Sequence, residues 1–439
     1  LLAALKASIP ADASGLVVAL SGGADSAALL AAVADIAKDS QVLPLRAVHV
    51  DHGLQDCAQE FRSACQNLCE RLQVPLRIIS VEVASGGGRS IEAAAREARY
   101  AALAAQLAPQ ECLLTAHHRK DQAETLLLQA LRGAGVKGLA AMPACRELGA
   151  GWHVRPLLDV AHGELLTFGA HLDEFVVADP MNGDLRFDRS YLRSAVWPAI
   201  EKRWPGADVA LARSARHMAE AQQLLEIAAR AEVARLRDGA ALSVPGLRAL
   251  SGVQQINTVR LWLHSGGVEA PPTARLQEAL RQILEAQEDH QPTIAWGEVA
   301  LRRYRQRLFL TQAQAPQLTD EISWTVQLHS TVPLGAQLGE LTWIAQQGGI
   351  ATDRLPAAVS VRRRVGGETL KLKVSAKTQS IQHLCQSHGV LPWLRDALPL
   401  VYAGDELIAV GDLWTDARWS AAPGSPGLAI AWNHGPWLT

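Results

Sequence analysis

The sequence predicts an α/β protein: an N-terminal parallel-sheet domain, then a helical linker, then two smaller C-terminal α+β domains. Three observations carry this. Strand-like and helix-like segments alternate over residues 1–190, the pattern of a parallel sheet with helices on both faces. A glycine turn, Ser21-Gly22-Gly23-Ala24-Asp25-Ser26, links an apolar strand to an apolar helix. The polar motifs that follow fall at the C-terminal ends of the expected strands, where open α/β sheets bind ligands.

Taken in order, Leu16-Val17-Val18-Ala19-Leu20 reads as a buried strand and 26–37 as a helix without a breaker. Strands follow at 45–50, 76–83, 112–116, 153–158 and 175–178. The helices between them are expected at 56–73, 90–107, 121–132 and 162–172. Residues 190–237 are Ala/Arg/Leu-rich and helical, interrupted near Pro205-Gly206. A helix at 275–287 precedes a closing hairpin that includes 294–310, and 313–330 reads as a linker into a last β-rich unit. The expected domains are 1–215, 216–312 and 330–439.

A chain of 439 residues exceeds one ordinary core. Apolar content of 49% and charge of 20% indicate globular rather than disordered chain. No apolar run approaches the ~20 residues of a membrane span. No secretory signal is visible, although the start Leu1-Leu2-Ala3 lacks Met and points to a few native residues missing there. The six cysteines, Cys57, Cys65, Cys69, Cys112, Cys145 and Cys385, form no C-x-x-C pair. They read as reduced packing residues of a cytoplasmic protein. With a net charge of −2, a nucleic-acid partner would have to use local basic patches.

The glycine turn is a phosphate cradle by construction. Its backbone bends tightly and ends at a helix N-terminus, whose free N–H groups favour anions. Ser21 and Ser26 add hydroxyls. No Gly-Lys-Ser/Thr follows, so this is not the Walker pattern. The remaining motifs are His49-Val50-Asp51-His52-Gly53-Leu54, Ser90 to Tyr100 with Arg96 and Arg99, Ala116-His117-His118-Arg119-Lys120-Asp121-Gln122-Ala123-Glu124-Thr125, and Arg132-Gly133-Ala134-Gly135 with Gly138-Leu139. Each is modest alone. Asp121 and Glu124 could serve only as helix-start carboxylates. Beside a phosphate loop they also suit Mg²⁺ or an amine.

The string SGGxDS resembles the PP-loop of the ATP pyrophosphatases. In this order and spacing the motifs together resemble the tRNA(Ile)-lysidine synthetases, strongly over the first ~215 residues. The resemblance continues weakly through Val361-Arg362-Arg363-Arg364-Val365-Gly366-Gly367 and Val390-Leu391-Pro392-Trp393-Leu394-Arg395. It implies that ATP adenylates the C2 oxygen of the wobble cytidine in an isoleucine tRNA with a CAU anticodon. Free L-lysine then displaces AMP.

The same resemblance implies roles for residues. Ser21, Gly22, Gly23, Ala24, Asp25, Ser26 and His49 would bind ATP. Asp25, His117, Asp121 and Arg96 would be catalytic. Arg96, Asp121, Glu124, Arg189 and Arg193 would bind substrates, with Asp25 and Asp121 on Mg²⁺. A homodimer and a tRNA grip by the last domain are also implied.

Two positions depart from the family pattern: Lys120 replaces an aspartate and Ser190 an asparagine. Basic groups at Arg186, Arg189, Arg193, Lys202 and Arg203, at Arg303, Arg305 and Arg307 on one strand face, and at Arg362, Arg363, Arg364, Lys371, Lys373 and Lys377 suit an extended RNA. The alternatives are a PP-loop tRNA 2-thiolase, a small-molecule amidotransferase-type synthetase and a catalytically inactive tRNA-binding homologue. The lack of a cysteine pair near the motifs disfavours the first.

Overall fold

The structure is a computed structural model, and it describes residues 1–39, 43–51, 58–81, 91–177, 183–287, 290–335 and 337–433. The chain divides into two compact units, Leu1–Leu225 and Glu226–Thr439.

The first unit contains α1 (Leu2–Ser8), β1 (Gly15–Ala19), α2 (Ala24–Asp39), β2 (Leu45–Asp51), α3 (Ala58–Leu72), β3 (Leu76–Ser80), α4 (Ile91–Ala104), β4 (Glu111–Leu114), α5 (Arg119–Leu131), α6 (Val136–Leu139), β5 (Cys145–Leu148), β6 (Gly151–Val154) and α7 (His162–Gly169). After these come α8 (Asp188–Tyr191), a π-helical turn Leu192–Val196, α9 (Trp197–Arg203) and α10 (Ala207–Leu236), which runs into the second unit. Among the described residues six strands form one sheet, ordered β3-β2-β1-β4-β6-β5. All neighbours are parallel except β5, which runs antiparallel to β6 at the edge.

The sequence explains this centre. Leu16, Val17 and Val18 of β1 and Cys112, Leu113 and Leu114 of β4 are buried, because helices cover both faces of a parallel sheet. Strand order reverses between β1 and β4, so the crevice at their carboxyl ends is the expected ligand site. The small residues of α2, Ala27 to Ala34, let neighbours approach closely. A Cβ at Gly169 of α7 would lie 2.8 Å from that of Ala28. That glycine lets α7 press on α2, and the other end of α7 carries His162.

The expected strand at 175–178 does not form among the described residues. Phe175 closes a 3₁₀ turn, and the Val177 amide donates to the Gly22 carbonyl at 3.0 Å. This short apolar run is a tether for the glycine turn instead of a sheet strand. Strand β5 was not anticipated, because it is short and mostly solvent-facing, with only Leu148 half-buried.

Within the second unit, β7 (Arg237–Asp238), β8 (Ala241–Ser243), α11 (Val244–Arg248), α12 (Gly252–Ser265), α13 (Thr273–Glu285), β9 (Thr293–Trp296), β10 (Val299–Tyr304) and β11 (Arg307–Gln312) share a core around Leu263, Leu276, Ile283 and Leu308. The one-face stripe expected for Arg303, Arg305 and Arg307 is corrected by the hairpin. Arg305 sits in the turn at φ +54°, so strand alternation stops before it. Arg303 is fully buried and donates to the carbonyls of Ile283, Ala286 and Arg305.

The expected linker 313–330 contains a strand, β12 (Ile322–Thr325). The rest of the β-rich unit is β13 (Thr331–Pro333), β14 (Glu340–Gln347), β15 (Ala358–Arg362), β16 (Thr369–Leu370), β17 (Gln379–Ser380), α14 (Ile381–Ser387), β18 (Leu400–Ala403), β19 (Glu406–Val410), β20 (Trp414–Thr415) and β21 (Pro426–Asn433). Its core centres on Trp324 stacked on Trp343. Arg362 pairs there with Glu321, and Arg364 with Glu368 and Asp396.

Candidate active site

The glycine turn connects β1 to α2 at the sheet's switch point. Ser26 Oγ donates to the Gly23 carbonyl (2.9 Å) and accepts from the Ser21 amide (3.1 Å), which folds the turn on itself. The Gly23 amide donates to Ser21 Oγ (3.3 Å). Gly22 lies at φ +89°, and a Cβ there would stand 2.8 Å from the Phe61 ring. Only glycine meets both conditions. A Cβ at Gly23 would meet only Ser21 Oγ, at 3.6 Å, which leaves its backbone reachable by an anion. His49, at the end of β2, is buried and donates from Nδ1 to the Leu20 carbonyl at 2.9 Å. It supports the strand end beneath the turn.

Asp25, at the start of α2, faces two imidazoles. His162 Nε2 is 3.0 Å from its Oδ1, and His118 Nε2 is 3.7 Å from its Oδ2. The two rings stack with centroids 4.2 Å apart. Sequence reasoning missed His162. Its signal was the expected helix start at 162, which lies at the same end of the sheet as the other motifs.

Asp121 and Glu124, one turn apart on α5, project to one side. Arg189 and Arg193 meet them there. Arg193 Nε donates to Glu124 Oε1 at 2.9 Å and Nη2 to Oε2 at 2.8 Å. Arg189 Nε donates to Glu124 Oε2 at 3.2 Å. Both guanidiniums reach Asp121 Oδ1 at 2.9 Å. Asp121 Oδ2 accepts the His118 amide at 3.0 Å. Burial opposes the charge of Asp121, yet His118, Arg189 and that amide outweigh it and hold the carboxyl below its usual range. Glu124 is fully buried. The two arginines expected to reach RNA or substrate are therefore bound to carboxylates in this state. Arg186 pairs with Asp184.

Arg96 and Arg99 of α4, with Arg146 of β5, surround the Tyr100 ring at 5.1, 5.6 and 5.6 Å from its centroid. His117 stands at the edge of this cationic cluster. Burial, opposed by Asp121 and reinforced by Arg155, Arg189 and Arg96, pushes its pKa down to about 3. It is neutral at pH 7. Lys120 places its ammonium 5.4 Å from the Trp197 ring centroid, a cation–π seat.

Four cysteines, Cys65, Cys69, Cys112 and Cys385, are buried. Burial pushes the Cys65 and Cys69 thiols up to about 12, so they are poor nucleophiles. His52, Gly53, Leu54, Cys57, Ser90 and the stretch Asp179-Pro180-Met181-Asn182 lie outside the described residues.

His49, His118 and His153 are each at most 5% exposed. Burial, the first cause in each case, lowers all three pKa values. The unfolded chain then binds protons below about pH 6.5 that the folded one refuses. Their stabilising effect is full above that pH and is lost as pH falls. Thermal melts should show stability dropping from pH 7 to pH 5, by up to about 1.4 kcal/mol per pH unit for each histidine. A flat profile would contradict the buried neutral state.

Mg²⁺ favours oxygen ligands and nucleotide phosphates. Asp25, partly exposed beside the phosphate turn, fits as one such ligand. The imidazoles of His118 and His162 lie close enough to join it, but nitrogen donors suit softer ions. Asp121 has both oxygens occupied by donors.

Residues 2–200 match a family described as a PP-loop domain. Residues 242–309 match the TilS substrate binding domain, and 359–432 the TilS substrate C-terminal domain. The tRNA(Ile)-lysidine synthase of Alkalilimnicola ehrlichii is 40% identical over 427 residues, covering 97% of this chain and 95% of that protein. Those of Coxiella burnetii and Ralstonia nicotianae are 38% and 39% identical, over 90% and 94% of this chain and 88% and 92% of theirs.

Proposed function

The chain belongs to the tRNA(Ile)-lysidine synthase family, and on that premise we propose how its residues divide the work. The protein is a ligase that uses ATP to form lysidine on isoleucine tRNA. The carrying observation is that the glycine turn, the His117-His118 pair and the Asp121/Glu124 pair meet at the carboxyl ends of β1 and β4.

ATP lies with its phosphates on the amides and hydroxyls of Ser21 to Ser26. Asp25 would hold a Mg²⁺ ion, which would neutralise phosphate charge. His117 and Arg96 contact the α-phosphate as it is transferred to the C2 oxygen of the wobble cytidine, giving an adenylated base and pyrophosphate. In-line placement supplies most of the acceleration, because phosphoryl transfer asks mainly for positioning and charge stabilisation.

Once its ammonium has given up a proton, the ε-amine of free L-lysine attacks C2 as the neutral amine, and the C2–O bond breaks to expel AMP. Before that, the lysine ammonium group is recognised by Asp121 and Glu124, where it takes the place of a guanidinium now bound there. That exchange conserves charge, so the buried carboxylates are never left unpaired. The exposed Arg305, Arg363, Lys373 and Lys377 of the 216–312 and 330–439 regions bind the body of the tRNA.

Labelled L-lysine should enter an isoleucine tRNA transcript with a CAU anticodon in the presence of ATP and Mg²⁺, and spare a methionine tRNA control. Bound but unlabelled tRNA would favour the inactive homologue. Lys120 does not argue for that reading, since its ammonium rests on Trp197. Lys120→Asp is expected to change stability by under about 1 kcal/mol and to leave lysine incorporation equal or higher. A sharp fall in incorporation would assign Lys120 a role of its own.

A further inference from the structure

From the hydrogen-bond geometry we infer that a buried chain, Arg155–His153–Thr115–His117, fixes the tautomer of His117 with its proton on Nε2. Thr115, His153 and Arg155 are thereby positioning residues of the active site. The donor and acceptor inventory of each side chain is enough to set every proton along it.

Arg155 is 4% exposed and lies just beyond β6. Its Nη2 is 3.2 Å from His153 Nδ1. Arg146 Nε donates to the same nitrogen at 3.4 Å. A guanidinium only donates, so His153 Nδ1 is an acceptor and carries no proton. The single proton of this neutral ring is on Nε2. Burial, with Arg155 and Arg146 close by, pushes the His153 pKa down to about 2, which agrees with one proton only.

His153 Nε2 is 2.9 Å from Thr115 Oγ1. The N–H donates, and the hydroxyl oxygen accepts. Thr115 Oγ1 is also 2.9 Å from His117 Nδ1. Thr115 is buried, and among the described residues its hydroxyl has no other partner. Its proton therefore points at His117 Nδ1. That nitrogen accepts, and the His117 proton is on Nε2. Nε2 has no partner among the described residues, and the ring is half-buried.

Each link is set by the one before it, starting from a group that cannot reverse direction. The order also explains why an imidazole is kept wholly buried beside arginines: His153 converts a fixed cation into a fixed hydrogen-bond polarity two residues away. His117 consequently presents a neutral N–H to the site. It donates to an oxygen of the substrate, as neutral imidazoles do when they polarise oxygen. It does not take the proton of the attacking amine, because Nε2 already carries one and the Nδ1 lone pair is engaged. This use in catalysis rests on the proposed reaction; the tautomer does not.

The test therefore has two arms. Nitrogen-15 NMR of the histidine-labelled full chain, without substrate at pH 7.5, should show both His117 and His153 protonated on Nε2. A His117 resonance of the Nδ1–H form would overturn the inference whatever the reaction is. Thr115→Val should turn His117 into a mixture of tautomers and lower kcat for lysine incorporation by about 10- to 100-fold with little change in KM for ATP. Thr115→Ser should restore both the tautomer and the rate. Thr115→Val with wild-type tautomer and rate would also overturn it. If the NMR result holds but no lysine is incorporated by the wild type, the reaction assignment fails and the tautomer assignment stands.

Discussion

Glu124→Ala is expected to abolish lysine incorporation and to destabilise the first unit by about 3 kcal/mol or more. Glu124 is fully buried and accepts three hydrogen bonds, from Arg189 Nε and from Nε and Nη2 of Arg193. Taking away this carboxylate leaves two guanidiniums facing a single acid, Asp121. Removing one partner of a buried pair costs far more than the pair gains in isolation, because the remaining charge is desolvated without compensation. Arg189 and Arg193 are 31% and 38% exposed, so solvent screens part of this and places the cost near the lower end of the usual range.

Urea denaturation measures that cost. The functional half of the prediction is separable. If the carboxylates hold lysine, ATP-dependent adenylation of the tRNA should survive in Glu124→Gln, while the KM for lysine rises by about tenfold or more. An unchanged KM for lysine in that variant would remove Glu124 from the amine site and leave it a structural partner of the arginines.

The second large effect is expected at Asp25. Asp25→Ala should lower pyrophosphate release by at least about 100-fold while tRNA affinity stays nearly intact. Its carboxylate stands between the glycine turn and the imidazoles of His118 and His162. No other carboxylate described at the turn is as open to a phosphate-bound cation. The side chain is 37% exposed, so the substitution should change stability by no more than about 1 kcal/mol. Full pyrophosphate release in a folded Asp25→Ala protein would take the glycine turn's acid out of the mechanism.

Much of the site was legible because its motifs are local. The SGGxDS turn needs a positive φ at Gly22 and no Cβ against Phe61, and both demands are met by residue type alone. Asp121 and Glu124 lie one helical turn apart, so their common face follows from helix geometry. The strands of the first unit were readable because a parallel sheet buried on both faces makes short continuous apolar runs. Helix α12 was not among the expected elements, although Ser251 and Gln254, which form reciprocal bonds across its first turn, have the spacing of a capping box.

Other features had no local signature. Strand β5 is solvent-facing except at Leu148 and forms only because β6 offers it an edge. Alternation suggested that Arg303, Arg305 and Arg307 share a face. A two-residue turn reset the register, and Arg303 became a buried clamp on the end of α13.

By itself, then, the sequence determined the family, through several motifs in one order, and the local geometry of the glycine turn and of the Asp121/Glu124 pair, because that geometry depends on spacing within one or two turns of chain. The tertiary structure alone decided the partners. Arg189 and Arg193 lie more than sixty residues from Asp121 and Glu124, His162 lies 137 from Asp25, and His153 lies 38 from Thr115. Which donor meets which acceptor across such distances is set by strand order and helix packing. That pairing holds the Asp121 carboxyl below its usual range and sets the proton positions of His153 and His117.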